Sequence, residues 1–455
     1  MRTAKEVALL TSSKVLIIHV PDMNNKGSVA LLRSDISVVK EVVKGDVSLS
    51  VSTVDVAAVE KLNLPLDAVL PTIVDIPYKT ADFLAKKSGI ARNTFRYKVL
   101  MIASFIYMFI QTTLAVISVL FTKLGLRALY RNEVLTSMKN SDLVISCSDE
   151  LFKEVASLLP LSISWMLTYW TMLYQRTLEV SIAKFIGKPI VLFPNSVGPF
   201  RTWVGRFLCN MALNNCEYVL VREPVSYEIV NSLGIRSRKI LTADMALLFK
   251  TTQEKIPESF PHPAIGVCPG IYSNSLSSEG VNNYILEHAK ALDAAIDKYA
   301  FNVVFLPHYV SGFEYDDLEI CELILHQMKN RDHARIVNVS SIDEFKSSLN
   351  HMDMIITSKM HPGVLGVSGY VPTLSIAYDH KQTGFFEQLG MADCAIHIND
   401  ASSEVIMSKI DFIWKERKRI AASLRTRVPE LQENIKRAVR EALVPFVPIN
   451  DDIGN

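Results

Sequence analysis

Short apolar runs recur along the chain and are separated by longer segments with helical periodicity, such as 282–300 and 316–328. Each run has the four to eight residues that are typical of a strand buried on both faces. The predicted strands are 15–20, 49–53, 142–146, 189–193, 218–221, 240–242, 264–268, 303–306, 335–339, 354–357, 373–377 and 395–398. Strands that alternate with helices indicate parallel sheets, and the pattern occurs twice. The sequence therefore predicts an α/β protein with two doubly wound, Rossmann-like domains.

A polar stretch at 251–263 contains three prolines and lies directly before a new predicted strand. Such a stretch is typical of a linker between domains. We therefore place an N-terminal domain at 1–250 and a C-terminal domain at 264–402. Residues 403–443 are charged and amphipathic, and we predict two helices there.

One segment of the first domain, 99–121, contains no charged residue and is long enough to cross a bilayer. Basic residues lie on both sides of it, so they give no orientation signal. A single crossing would separate strands 15–20 and 142–146, which we assign to the same sheet. We interpret 99–121 as an inserted apolar helix that contacts the membrane interface peripherally. A helix buried in the protein or in a dimer interface, and a true membrane span, are the alternatives.

Composition narrows the function classes. The 455 residues are 49% hydrophobic, which excludes a disordered chain, and 48 Lys and Arg against 47 Asp and Glu give no support for nucleic-acid binding. The six cysteines form no C-x-x-C pair, and we interpret them as reduced thiols of a cytosolic protein. The N-terminal apolar run is too short for a signal peptide. We therefore expect a cytoplasmic protein, peripheral at the inner face of the membrane.

Candidate ligand-binding residues follow two strands of the first domain. Asn25, Gly27 and Ser28 lie in a turn after strand 15–20, where a helix N-terminus exposes N–H groups that suit an anion. Asn195 and Ser196 follow strand 189–193, at the strand end where open α/β sheets bind ligands. Purely structural turns are the alternative at both places.

Arg222 directly follows strand 218–221. A guanidinium held there can bind a carboxylate or phosphate through two parallel hydrogen bonds. A structural ion pair is the alternative interpretation.

The second domain carries a comparable cluster after strand 354–357. Lys359 and His361 stand two residues apart, so on extended backbone they point to the same side. Glycines then open a helix, and together these features predict a site for an anionic ligand. His308 and Lys381 follow other strands and are predicted second contacts, with Tyr378 beside Lys381. No metal-ligand spacing is present, so we predict no catalytic metal.

Taken in order, these motifs resemble the polysaccharide pyruvyl transferase family from about residue 15 to 443. The most specific part is 357–390, which begins T-S-K-M-H-P-G and includes Y-D-H-K-Q-T-G, and P-N-S-V-G-P-F, V-R-E-P-V-S and T-A-D-M-A precede it in order. The resemblance implies a two-domain fold like that of GT-B glycosyltransferases, with the site in the cleft. It also implies phosphoenolpyruvate as donor, without a further cofactor. Two sugar hydroxyls of a glycan or lipid-linked acceptor would receive the pyruvate ketal.

Carried over to this chain, the family pattern assigns Arg222, Lys359 and His361 to the phosphate and carboxylate of the donor. An imidazole exchanges protons near neutral pH, so His361 is the predicted acid/base. The two cations would stabilise the departing phosphate, and Lys381 would assist. The loop around Asn25 and the residue Asp149 are expected to face the acceptor.

The chain departs from the family pattern in three places. Lys359 stands where the family usually has Arg, the first loop has N-K-G-S, and C-S-D at 147–149 replaces the usual glycines. A changed substrate or lost activity explains all three. A GT-B glycosyltransferase that uses a nucleotide sugar, with Glu387 on the ribose, and a non-catalytic sugar-binding protein are the competing hypotheses.

Overall fold

The computed structural model describes residues 12–91, 94–124, 126, 132–154, 163–251, 260–271, 277–310 and 316–450. Two parallel sheets with flanking helices form its framework, which confirms the predicted fold class. Within each sheet, all pairs of neighbouring strands are parallel.

The first sheet has the order β3-β2-β1-β4-β6-β7-β8, and β5 pairs with β6. Its strands are β1 (Ser13–Val20), β2 (Val47–Thr53), β3 (Ala68–Pro71), β4 (Leu143–Ser146), β5 (Asp149–Phe152), β6 (Ile190–Val197), β7 (Tyr218–Val221) and β8 (Arg238–Leu241). The helices between them are α1 (Lys26–Val42), α2 (Val56–Lys61), α3 (Pro77–Ser88), α4 (Phe95–Lys123), α5 (Glu133–Asn140), α6 (Ile163–Phe185), α7 (Trp203–Asn214) and α8 (Pro224–Ser232). A 3₁₀ turn, Met245–Leu248, follows β8.

The second sheet has the order β11-β10-β9-β12-β13-β14. Its strands are β9 (Ala264–Cys268), β10 (Asn302–Phe305), β11 (Ala334–Ile336), β12 (Met354–Thr357), β13 (Thr373–Ala377) and β14 (Ala395–His397). The helices are α9 (Ser278–Tyr299), α10 (Asp317–Gln327), α11 (Ile342–Asn350), α12 (Met360–Ser368), α13 (His380–Gln388) and α14 (Ser403–Leu443).

Strand β1 shows how the core is layered. Successive side chains of a strand point to opposite faces. Val15 and Ile17 accordingly enter a large core cluster that continues into the second domain, whereas Leu16 and Ile18 enter a separate cluster under α6 and α7. One face of the first sheet therefore shares its core with the second domain, and the other face has a core of its own.

The predicted strands are observed, and 218–221, 264–268, 354–357 and 373–377 have the predicted ends. Two strands, β3 and β5, were not predicted. The two predicted C-terminal helices are wrong, because 403–443 is one continuous helix, α14, with Pro429 inside it. Residues 252–259 of the predicted linker lie outside the described residues, so the domain limits stay predictions.

Helix α14 packs against both domains. It contacts α1, β6 and β7 of the first domain and α9, α12, β12 and β13 of the second. A row of apolar side chains faces these elements, and the buried members include Ile406, Ile410, Ile413, Ile420, Leu424 and Val428. The charged residues lie on the other faces, as is usual for an amphipathic surface helix.

Candidate functional site

The carboxyl ends of the two sheets face each other across a cleft, and the N-terminus of α1 is docked to the second domain there. Asn25 forms an isolated antiparallel bridge with Tyr309, which follows β10. The Lys26 ammonium donates to the carbonyl oxygens of Pro307, at 3.3 Å, and His308, at 3.2 Å. The loop after β1 therefore belongs to the interface between the domains.

Gly27 allows the closest approach within this interface. A Cβ atom at position 27 would collide with the imidazole of His361, so only glycine fits at this contact. The His361 ring stacks on His308 with centroids 6.1 Å apart. Both histidines are buried, and the Nε2 atom of each has no hydrogen-bond partner among the described residues. The cleft therefore presents two imidazole nitrogens that can each form a hydrogen bond with a polar ligand.

The electrostatic surroundings of His361 favour the neutral imidazole. Burial lowers the pKa of His361 below its usual value, and Arg222 and Lys381 act in the same direction. The carboxylates of Asp244 and Asp149 oppose this shift but do not cancel it. The pKa of His308 is also lowered, chiefly by burial. At neutral pH both imidazoles are therefore uncharged, and each is able to accept one proton.

Arg222 is fully buried at the end of β7. Its Nη1 lies 2.9 Å from Oδ2 of Asp244, and its Nε donates to Oγ of Ser196 at 2.7 Å. Burial acts to lower the pKa of Arg222, but Asp244 and other nearby carboxylates raise it overall. The guanidinium is thus held by an ion pair within the first domain.

Asn195 and Ser196 lie in β6 rather than in a loop, which corrects the sequence interpretation. The amide of Asn195 accepts from the backbone N–H of Leu151 and donates to the carbonyl oxygens of Cys147 and Phe193. Both ends of this side chain are therefore used to hold β5 beside β6. Ser196 accepts from Arg222, so both residues hold neighbouring groups of the site in place, and their contact with a substrate stays a prediction.

Lys359 occupies the N-cap position of α12 without a side-chain capping hydrogen bond, and its Nζ lies 2.9 Å from Oδ1 of Asp317. Its side chain crosses the backbone of Gly270, where a Cβ atom would collide with it. Asp317 also accepts from the backbone N–H of Tyr309 at 2.8 Å. The ends of β9, β10 and β12 are thus connected through one ion pair.

Lys381 forms an ion pair with Glu150 of the first domain, and its Nζ lies 3.6 Å from Oδ2 of Asp379. The Tyr378 ring lies 5.9 Å from the same ammonium group. Burial acts to lower the pKa of Lys381, but Glu150 and the other acids raise it well above its usual value. This ion pair is a second connection between the domains.

Asp149 and Ser28 meet at the first-domain side of the cleft. The Ser28 hydroxyl donates to Oδ2 of Asp149 at 3.3 Å. Asp149 begins β5, a strand that the sequence did not predict, and its carboxylate acts on the pKa of both His361 and Arg222. The structure therefore brings Asp149 to the same cleft as the cations.

Sequence reasoning found the cations of the cleft but missed most of their carboxylate partners. Asp244 lies in the T-A-D-M-A motif, which was noted only as part of the family pattern. The adjacent aspartates 316 and 317 were interpreted as the N-terminus of a helix, and Asp316 does cap α10. Asp317 additionally pairs with Lys359, and Glu150 pairs with Lys381 across the domains. Each of these three cations thus faces a carboxylate.

No group of three or more His, Cys, Asp or Glu residues that could hold a metal ion occurs within the described ranges. The absence of a catalytic metal stays a prediction.

Two Rossmann-like domains that face each other across such a cleft define the GT-B-like class of folds. Solved structures of other proteins share this fold, and at their low sequence identity the similarity is limited to the fold. UDP-GlcNAc 2-epimerase from Methanocaldococcus jannaschii is 12% identical with a TM-score of 0.53, and 88% of this chain and 92% of that chain are covered. The enzyme of the same name from Neisseria meningitidis is 11% identical with a TM-score of 0.54, covering 95% of this chain and 100% of that chain.

Residues 66–380 match the family model described as polysaccharide pyruvyl transferase, and the chain belongs to this family. The amylovoran biosynthesis protein AmsJ of Erwinia amylovora is 21% identical over 343 residues, which cover 71% of this chain and 75% of that protein. The protein is thus a transferase of polysaccharide biosynthesis.

Proposed function

We propose that this protein transfers the enolpyruvyl group of phosphoenolpyruvate to two hydroxyls of one sugar in a cell-surface polysaccharide or its lipid-linked precursor. The product is a pyruvate ketal, and phosphate is released. The observation that carries the proposal is the cluster of His308 and His361, whose Nε2 atoms pair with no described residue, among Arg222, Lys359 and Lys381. A donor that carries both a phosphate and a carboxylate suits such a cluster, and family membership agrees with this donor.

The reaction balances without a further reactant. The methylene carbon of the donor takes a proton, which leaves an oxocarbenium-like carbon next to the carboxylate. One sugar hydroxyl adds to this carbon, the carbon–oxygen bond to phosphate breaks, and the second hydroxyl closes the ketal. Of the two hydroxyl protons, one replaces the proton given to the methylene carbon and the other leaves with phosphate.

His361 is the group that we assign to this proton transfer. Its imidazole is neutral in the free protein, because burial lowers its pKa. A donor phosphate beside the ring raises that pKa again, since a nearby negative charge favours the charged form. The imidazole then takes up a proton when the donor binds and delivers it to the methylene carbon. This order keeps a charged imidazole out of the buried cleft until the donor is present.

The cations act as the electrostatic part of the site. Lys359 and Arg222 each form an ion pair with a carboxylate, at 2.9 Å in both cases. The anionic groups of the donor compete with Asp317 and Asp244 for these cations, and phosphate departure is then stabilised by both. Because Lys359 has no planar fork of donors, it would contact the donor as a point charge.

The acceptor is assigned to the first-domain side. Asp149 accepts a hydrogen bond from the Ser28 hydroxyl, so a sugar hydroxyl that displaces Ser28 would meet the same carboxylate. The N-terminus of α1, capped by the Asn25 side chain at Gly27 N, lies beside it. We assign Asp149 as the base for the attacking hydroxyl.

The test is calorimetry of phosphoenolpyruvate binding in buffers of different ionisation enthalpy, which measures proton uptake. We expect binding with uptake of about one proton near neutral pH. The variant His361→Gln should bind without this uptake. His326→Gln, at an exposed position of α10, is the matched control and should behave as the wild type. UDP-GlcNAc serves as the competing ligand.

The outcomes separate the hypotheses. Proton uptake that persists in His361→Gln removes His361 as the acid. Binding of UDP-GlcNAc in place of phosphoenolpyruvate identifies a glycosyltransferase. Binding of neither ligand identifies a non-catalytic member of the family.

A further inference from the structure

Helix α4 buries mostly small or polar side chains and exposes most of its large apolar ones. Four of its six buried residues are small or polar, namely Ser104, Gln111, Ala115 and Ser118. The exposed positions carry large apolar side chains, including Phe95 at 79%, Ile102 at 62%, Phe109 at 59%, Ile106 at 57% and Ile110 at 51%. A helix that faces water has the opposite arrangement.

Polar contacts fix this orientation. Gln111 accepts from the backbone N–H of Asp75 at 2.9 Å and donates to its carboxylate at 3.0 Å. The phenol of Tyr97 donates to Asp82 of α3 at 2.7 Å. Because these contacts hold α4 on the protein, its apolar side cannot turn inward without losing them.

The apolar surface continues beyond α4 onto α7. Trp203 is 78% exposed and Phe207 is 58% exposed. Between α4, α6 and α7 lies a groove of about 410 Å³ whose walls are apolar and aromatic, with Met108, Trp170, Tyr174 and Leu208 among them. A contiguous apolar surface of this kind marks an interaction site.

The topology decides how this surface meets a membrane. Among the described residues, α4 alone is long and apolar enough to cross a bilayer by length and composition. However, β3 precedes α4 and β4 follows it, and both strands belong to the same sheet. A single crossing would place them on opposite sides of the membrane. The helix must therefore lie along its apolar partner.

The charges around the surface select the partner. Neither α4 nor α7 contains an acidic residue, whereas Arg96, Lys98, Lys123 and Arg206 are exposed on them. Lys86 and Lys87 add positive charge at the end of α3. Two copies of this surface brought together about a twofold axis would face each other with charges of one sign. Anionic lipid headgroups complement it.

We propose that α4 and α7 form a docking surface for a lipid bilayer that contains anionic lipid. The apolar side chains enter the interfacial layer, and the basic residues remain at the level of the headgroups. The groove between α4, α6 and α7 then opens toward the hydrocarbon. This inference rests on the surface alone and does not depend on the proposed donor chemistry.

The experiment is vesicle flotation of the full-length protein. Vesicles of phosphatidylglycerol mixed with phosphatidylcholine are compared with phosphatidylcholine alone. The variant combines Ile102→Gln, Ile106→Gln and Phe109→Gln. The matched control combines Leu286→Gln, Val405→Gln and Val444→Gln, which are exposed apolar positions on α9, on α14 and at the C-cap of α14.

We expect the wild type and the control to float with the mixed vesicles. The partition coefficient of the α4 variant should fall by more than about 100-fold. Substitution of Lys98 by Gln should lower it by about fivefold, and only on the mixed vesicles. Phosphoenolpyruvate binding is measured on every variant, so that a folding defect or a failure of the proposed function is recognised separately.

A second readout does not depend on any destabilising variant. The fluorescence of Trp203 is the difference between the wild type and Trp203→Phe, and brominated lipid should quench it. The fluorescence of Trp414 on α14, obtained by the same kind of difference, should not be quenched. Flotation of the α4 variant at the wild-type level overturns the proposal. The proposal is also overturned if the wild-type protein does not bind vesicles and instead forms a dimer, while the α4 variant is a monomer.

Discussion

Helices α1 and α4 belong to the same domain and place their side chains in opposite ways. Helix α1 buries thirteen of its 17 residues, and these include Lys26 and Asp35. Helix α4 buries six of its 29 residues and exposes most of its large apolar side chains. Helix α1 therefore buries ionisable side chains, whereas helix α4 exposes apolar side chains.

Both arrangements are unfavourable for the isolated domain in water. Burial lowers the pKa of Lys26 and raises the pKa of Asp35 to about 7. The surroundings of α1 thus disfavour the charged form of both side chains. On α4 the unfavourable free energy comes from apolar surface left in water. The difference teaches that each helix is shaped by what it meets. For α1 this is the cleft and the second domain, and for α4 we propose that it is the lipid bilayer.

The largest expected effect separates the two helices by a matched pair of leucines. Leu32 of α1 is 0% exposed, whereas Leu120 of α4 is 46% exposed. We expect Leu32→Ala to lower the free energy of unfolding by about 2–5 kcal/mol, because it leaves a cavity in the core. Leu120→Ala should change it by less than about 1 kcal/mol. Urea unfolding without lipid measures both, and equal losses would show that α4 is packed like a core helix.

A smaller effect concerns the hidden charge of α1. The pKa of Asp35 is raised to about 7 by burial, although Ser148 donates two hydrogen bonds to the carboxylate. The folded state thus keeps a proton that the unfolded chain loses near pH 4, so this group makes the protein less stable as pH rises from about 4 to about 7. Asp35→Asn removes that dependence. Above pH 7 it should exceed the wild type by up to roughly 4 kcal/mol.

Urea midpoints near both ends of this pH range check the Asp35 prediction, with the exposed Asp46→Asn as control. A variant whose advantage over the wild type is the same at low and high pH would contradict it, since the effect would then not arise from ionisation.

The smallest expected effect tests the inverted side of α4. Gln111→Leu leaves the backbone N–H of Asp75 without its acceptor, so we expect a loss of about 1–3 kcal/mol in water despite the more apolar side chain. Thr113→Leu, at an exposed position two residues on, should be within about 0.5 kcal/mol of the wild type and should bind vesicles more strongly. If Gln111→Leu leaves the free energy of unfolding unchanged, polar contacts do not fix the orientation of the helix.

The strands were predictable because most are apolar runs buried on both faces. Strand β5 was not, because D-E-L-F begins with two acids and lies against β6 only after the chain has folded. Strand β6 continues through Pro194 to Val197, although the turn signals of P-N-S-V-G-P predicted a loop. The tail is one helix because α14 packs on both domains along its length, a tertiary effect that overrides local propensity.

The cations of the site were predictable for a local reason, since each follows the carboxyl end of a strand. Their partners were not, because pairing is decided by tertiary structure. Glu150 reaches Lys381 from the other domain, and Asp244 reaches Arg222 from the turn after β8. For 99–121 the sequence predicted an apolar helix at a membrane interface, but not which of its side chains the protein buries, because that is decided by contacts such as the one between Gln111 and Asp75.

The long helix α14 gives the two domains a common mechanical element. At a rise of 1.5 Å per residue its 41 residues extend for about 60 Å, and it packs on strands and helices of both domains. Any change in the angle between the domains must therefore strain this rod. Pro429 lacks the N–H of one helical hydrogen bond, so the rod is least stiff near that residue. Stiffness along α14 thus limits how widely the cleft opens.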